Sequence, residues 1–182
     1  MEIPTLETDR LRLRPASLKD APWMFTLRSS PAFMEFMNRP LLKDVSEAEA
    51  FLQNVLDRYA NDTGVQWILE LKSTGEPIGY AGMWRWEKSN RLAEVGYGMD
   101  LNFVGHGYMT EAVKACLAYG YEHMNIHRME AYARTSNKAS IRVLEKCGFH
   151  KEGTLRHCVY FEEEFFDLYL FSLLSNEAAV GQ

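Results

Sequence analysis

The chain switches repeatedly between two hydrophobic periods. Leu11 and Leu13 stand between Arg10, Arg12 and Arg14, the alternation of a strand with one buried face. Asp20 ahead of Ala21-Pro22 then predicts a helix capped by the Asp20 carboxylate and ending near Pro31. A Met- and Phe-rich segment, 33–37, follows. Ser46 and Glu49 have capping-box spacing, and Phe51, Leu52, Val55, Leu56 and Tyr59 recur at helical intervals. They predict a second helix to about Ala60, ended by Asn61-Asp62-Thr63-Gly64.

Alternation returns at Val65, Trp67, Leu69 and Leu71. Ser73-Thr74-Gly75-Glu76 supplies a turn, and Ile78 to Trp86 and Leu92 to Met99 complete an antiparallel meander. Gly96 and Gly98 inside the third strand suggest a bulge or a close backbone approach to a ligand. After Gly105-His106-Gly107 the period is helical, with Val113, Cys116, Leu117, Gly120, Tyr121 and Met124 on one side. A strand from Met129 to Arg134 and a helix from Asn137 to Lys146, closed by Gly148, come next. Two strands, about Gly153 to Phe161 and Phe165 to Leu174, finish the chain. This order predicts an α/β (α+β mixed) fold, a mixed central sheet flanked by about four helices, as one domain over residues 1–182. The crossover between the 92–99 and 129–134 strands makes them parallel neighbours.

Composition narrows the function. With 20 Lys and Arg against 25 Asp and Glu the net charge is -5, so no global field holds a nucleic acid, and any bound anion is held by local geometry. No apolar run approaches the ~20 residues of a membrane span, and Met1-Glu2-Ile3-Pro4-Thr5 lacks the character of a signal peptide. A cytoplasmic protein without membrane partners is expected. Cys116, Cys147 and Cys158 have neither disulfide nor zinc spacing and are read as reduced thiols. His123 and His127 lie four apart without a third ligand nearby, so no metal site is expected. Trp84 and Trp86 are read as sharing one strand face, as core or substrate wall.

The stretch from Asn102 to Ala112 carries the clearest chemistry. Gly105 and Gly107 allow close backbone approach, and the following helix offers unpaired N–H groups and the positive end of its dipole. That combination suits a diphosphate; it also suits a loop that merely caps a helix. Thr110 at the third glycine position excludes a dinucleotide fingerprint, and no Gly-Lys-Ser/Thr follows to make a P-loop.

Five segments in order, Thr8 to Arg14, Ala93 to Tyr97, Gly105 to Ala112, Asn137 to Ser140 and Glu145 to Phe149, resemble one family. The chain is similar to the GCN5-related N-acetyltransferases, in the subgroup of ribosomal-protein N-terminal (alanine/serine) acetyltransferases. The resemblance implies a splayed pair of parallel strands and acetyl-CoA as co-substrate. It places the cofactor on Met99, Leu101, Gly105, His106, Gly107, Tyr108, Met109, Thr110, Asn137 and Ser140. Asn102 replaces the Gln or Arg that often opens the loop, and Leu144 stands where many members carry a tyrosine acid.

Direct acetyl transfer needs a neutral amine, a donor to the oxyanion and a group to meet the leaving thiolate. The Met99 backbone N–H is expected as the oxyanion donor and Ser140 as the acid, although Asn137 and Ser140 also suit an ordinary helix start. Glu94 is the expected base, acting through water; a cross-strand ion pair is its structural alternative. Glu162-Glu163-Glu164 either attract a cationic amine or form a solvated hairpin turn, and Lys138 and Arg142 either reach a CoA phosphate or simply lie on the surface. The expected acceptor is a protein or peptide N-terminal amine, with a small amine and a non-catalytic acyl-CoA sensor as alternatives. A second copy of the chain is a further partner compatible with this reading.

Overall fold

The computed structural model describes residues 3–178; Met1 and Glu2, part of the segment read as lacking a signal peptide, lie outside them. Eight strands form one sheet in the order β1-β2-β3-β4-β5-β6-β8-β7. They are β1 (Leu6–Glu7), β2 (Leu11–Pro15), β3 (Val65–Leu71), β4 (Pro77–Glu87), β5 (Leu92–Met99), β6 (Arg128–Arg134), β7 (His150–Phe161) and β8 (Glu164–Leu174). β5 and β6 run parallel and all other neighbours antiparallel.

Helices cover both faces. α1 (Ala21–Arg28), α2 (Pro31–Met34) and α3 (Val45–Ala60) share a buried cluster with Ile68 and Tyr80. On the other face α4 (Tyr108–His123) and α5 (Lys138–Lys146) enclose the larger core, with Leu11, Leu13, Trp67 and Met129 fully buried. A single turn, α6 (Ser175–Ala178), follows β8. No helix among the described residues is long and apolar enough to cross a membrane.

Several local expectations are corrected. Asp20 does not cap α1: its carboxylate pairs with Arg14 at 2.6 Å and accepts the Ser17 N–H at 2.8 Å, because a nearby guanidinium outbids orphan amides. The predicted first helix stops at Arg28, and α2 is a separate turn that Ser30 caps. α3 is capped two residues before Ser46: Asp44 accepts from the Glu47 N–H, and Glu47 reaches back to the Lys43 N–H. Ser46 donates its hydroxyl to Asp44 instead, at 2.6 Å. β7 begins at His150 rather than Gly153, and the two-residue β1 escaped the sequence pattern.

Trp84 and Trp86 do not share a face. Register shifts between Trp84 and Glu87, with Arg85 at a φ of 51°, so Trp86 packs on the α4 side while Trp84 crosses β5 on the other. Nor is β5 bulged at its glycines. A Cβ on Gly96 would fall 1.8 Å from the Trp84 ring, and one on Gly98 2.7 Å from Phe33. These glycines admit aromatic rings.

Candidate active site

The glycine loop lies between β5 and α4. Asp100 turns the chain by accepting the Asn102 N–H at 2.9 Å, leaving Leu101 and Val104 exposed. Gly105 and Gly107 have φ of 85° and 81°, the left-handed region that glycine enters without steric cost. Gly107 is also the N-cap of α4 and has no side chain to offer its first turn. The first intrahelical bond is Glu111 N–H to the Gly107 carbonyl, so the N–H groups of Tyr108, Met109 and Thr110 precede the hydrogen-bond ladder. His106 stacks on Tyr108 beside them.

An arginine from the start of the chain holds this loop. Arg10 donates to the His106 carbonyl at 2.9 Å, and its Nε donates to Glu111 at 2.7 Å. Glu111 also accepts from the Thr8 hydroxyl (2.6 Å) and the Arg10 N–H (2.9 Å). Burial works to raise the Glu111 pKa, but these donors prevail and lower it. Alternation marks 10–14 as a strand, and only the resemblance ties the motif 8–14 to a site. Its physical content is this clamp, which no local pattern could reveal across a hundred residues.

The sheet opens next to the loop. β5 and β6 are in register only from Leu92↔Arg128 to Glu94↔Glu130. On the other side of β5, the Asp100 N–H donates to the Ile78 carbonyl at 2.9 Å. By the alternation of an antiparallel ladder, Gly98 and Gly96 also bond toward β4, and the N–H groups of Tyr97 and Met99 point toward β6. There β6 has parted, leaving a gap edged by backbone donors.

Asn137 caps α5, accepting the Ser140 N–H at 3.0 Å. The Ser140 hydroxyl lies 3.0 Å from the Tyr97 hydroxyl. Tyr97 was missed as a site residue because its alternation marks it simply as core. Leu144 is 1% exposed, so the place of the absent tyrosine is filled by packing. Cys116 and Cys147 are buried thiols; desolvation raises both, Cys147 to about 12, consistent with inert core residues. Lys138 and Arg142 are exposed on α5, with the Lys138 ammonium 3.2 Å from the Thr135 carbonyl.

The opposite face of the gap carries charged groups. Glu94 pairs with Arg85 through Oε2 at 3.0 Å, as its structural alternative required, while Oε1 has no partner among the described residues. Beyond β6 lies a cleft of about 390 Å³ edged by Glu35, Arg39, Arg134, Glu162, Glu164 and Phe166. The Arg134 guanidinium lies 3.4 Å from the Phe166 ring centre, and its Nε donates to Asn38. Burial lowers the Arg134 pKa, opposed by Glu164, Glu35 and Glu162. Among the described residues no ion pair joins the cleft's charges. Glu162 and Glu163 form the β7–β8 turn, both at positive φ. His127 bonds Ser175 instead of sharing a ligand set with His123, and no cluster suited to a metal occurs among the described residues.

The family model for the acetyltransferase (GNAT) domain matches residues 10–150, the span from the clamping arginine through α5. The chain belongs to the GNAT family. Its activity class is N-acetyl transfer, with acetyl-CoA as co-substrate. An uncharacterized N-acetyltransferase, p20, from Bacillus licheniformis is 35% identical over 175 residues, 96% of this chain and 98% of that protein. Among solved GNAT structures, RimL, a ribosomal L7/L12 α-N-protein acetyltransferase in complex with coenzyme A, superposes with a TM-score of 0.85 at 19% identity. That match covers 94% of this chain and 98% of RimL. The spermidine N-acetyltransferase of Vibrio cholerae, in complex with CoA and spermine, gives 0.84 at 17%, covering 94% and 99%.

Proposed function

We propose that this enzyme acetylates a protein or peptide N-terminal α-amine by direct attack on acetyl-CoA, without an acyl-enzyme. The observation that carries the reading is the gap beyond Glu94↔Glu130, where the Met99 N–H points between the α4 loop and the charged cleft. In this reading Gly105 to Thr110 hold the diphosphate through backbone donors, and Leu101, His106 and Tyr108 border it. Asn137 fixes the turn that presents Ser140. The amine enters from the cleft, its nitrogen attacks the thioester carbon, and the Met99 N–H receives the developing oxyanion. The C–S bond then breaks toward sulfur, where Ser140 donates.

An α-amine, with a pKa of ~7.7 to 8.0, is appreciably neutral near pH 7.5, whereas a lysine-like amine at ~10.4 needs a strong base. With Leu144 in place of a tyrosine and one oxygen of Glu94 taken by Arg85, this site suits the less demanding acceptor. The free Oε1 of Glu94 receives the proton through water. A polyamine is the second reading, favoured by the three carboxylates at the cleft. The test is thiol release from acetyl-CoA with a panel of peptides of varied first residue, spermidine, spermine and amino acids. Peptide turnover at least tenfold above polyamine turnover supports the α-amine; the reverse order selects the polyamine.

A further inference from the structure

Tyr97 shares the β5 face of Val95 and Met99, beneath α4 and α5. Its hydroxyl is 3.0 Å from Ser140 Oγ and 3.2 Å from the Ser140 carbonyl oxygen. A phenol has one proton to give, so these contacts describe two arrangements. In the first, Tyr97 donates to the carbonyl and the Ser140 hydroxyl donates to Tyr97. In the second, Tyr97 donates to Oγ and the serine proton is free to point elsewhere. Rotating two O–H bonds interconverts them with no heavy-atom movement, because the Asn137 cap fixes the backbone of Ser140. Burial holds the phenol above the usual tyrosine range, so it remains a donor in both.

We propose that Tyr97 is a positioning residue for acetyl transfer, swinging its proton from the Ser140 carbonyl to Oγ as Ser140 turns its own proton onto the departing sulfur. This rests on the reading of Ser140 as the group that meets the thiolate. The C–S bond breaks with its electron pair on sulfur, and Ser140 stabilises the thiolate by hydrogen bonding. The proton lost by the amine nitrogen on becoming an amide passes through water to Glu94, and the released thiolate takes its proton from solvent. Tyr97 and Ser140 finish with the protons they began with. A donor on Oγ makes the serine proton a better one, so the pair supplies from two neutral hydroxyls part of what a phenol at position 144 would give.

A double-mutant cycle with Tyr97→Phe and Ser140→Ala tests this, measuring kcat, KM for acetyl-CoA and melting temperature. Tyr97→Phe is expected to lower kcat about 3- to 10-fold, the value of one neutral hydrogen bond, with KM for acetyl-CoA unchanged. In the Ser140→Ala background it should cost nothing further. Wild-type kcat in Tyr97→Phe beside an impaired Ser140→Ala overturns the role of Tyr97 alone. Full activity in Ser140→Ala overturns the reading of Ser140 and the proposal with it, and additive losses show that Tyr97 acts elsewhere. Should Tyr97→Phe fail to fold, 3-fluorotyrosine at position 97 keeps the hydroxyl and strengthens it as a donor; kcat at or above wild type supports the proposal, and a fall overturns it.

Discussion

The two sides of the gap are built by opposite means. On the α4 side the groups that would meet the cofactor are backbone amides, held by glycine conformation and the Arg10–Glu111 clamp, with each charge of that clamp already paired. On the cleft side the groups are long side chains, Glu35, Arg134, Glu162 and Glu164, with no ion pairs among themselves. A site made of backbone is specified by the fold and changes little with surface charge. A site made of unpaired side chains can alter its partner through a few substitutions while the sheet stays the same.

The contrast breaks most visibly at Gly107. Valine there forces a β-branched residue to a φ of 81°, and acetyl-CoA affinity should fall on the order of 100-fold with the sheet intact, as calorimetry and circular dichroism would show. Unchanged affinity would remove the loop from the donor site. Ser140→Ala should reduce turnover roughly 10- to 100-fold while acetyl-CoA affinity stays constant, placing its effect in the transition state. Equal losses in affinity and turnover would make Ser140 a binding residue.

The cleft side is sharpened by Glu162→Gln with Glu164→Gln. The acceptor KM should rise about 3- to 10-fold and lose its salt dependence, while the KM for acetyl-CoA remains within twofold and nearly insensitive to salt. A matching salt response on both sides would erase the distinction. The smallest effect concerns the clamp. The lowered pKa of Glu111 stabilises the fold above its ordinary value of 4.5, and that contribution disappears as pH falls through the folded value. Glu111→Gln should therefore melt a few degrees below wild type at pH 7, the difference closing below about pH 4.5. A difference constant from pH 7 to 3 would assign the loss to packing.

Local patterns disclosed much of this molecule. The meander, the crossover from β5 to β6 and the glycine loop all follow from spacing, because period and turn chemistry act between near neighbours. What stayed hidden depends on distant partners: Asp20 takes Arg14 instead of a helix end, and Trp84 claims the space above Gly96. Arg134 joins the cleft only once the β7–β8 turn arrives. Glu94 shows the limit well. Its strand position and a cross-strand ion pair were both legible, but its partner Arg85 sits in a register shift that leaves no signature in the alternation.

The clamp between Arg10 and Glu111 also orders events in time. Those residues are 101 positions apart, so the donor loop reaches its final form only after the first strands dock beside a helix from the second half of the chain. During synthesis α4 emerges long after β2, and during unfolding the fraying of a short edge strand can release the loop while the central sheet persists. Competence to bind acetyl-CoA thus reports the arrival of the chain's beginning. Hydrogen exchange of the Glu111 N–H, which bonds the Gly107 carbonyl, should follow that of β1 and β2 more closely than that of the adjoining strand β5.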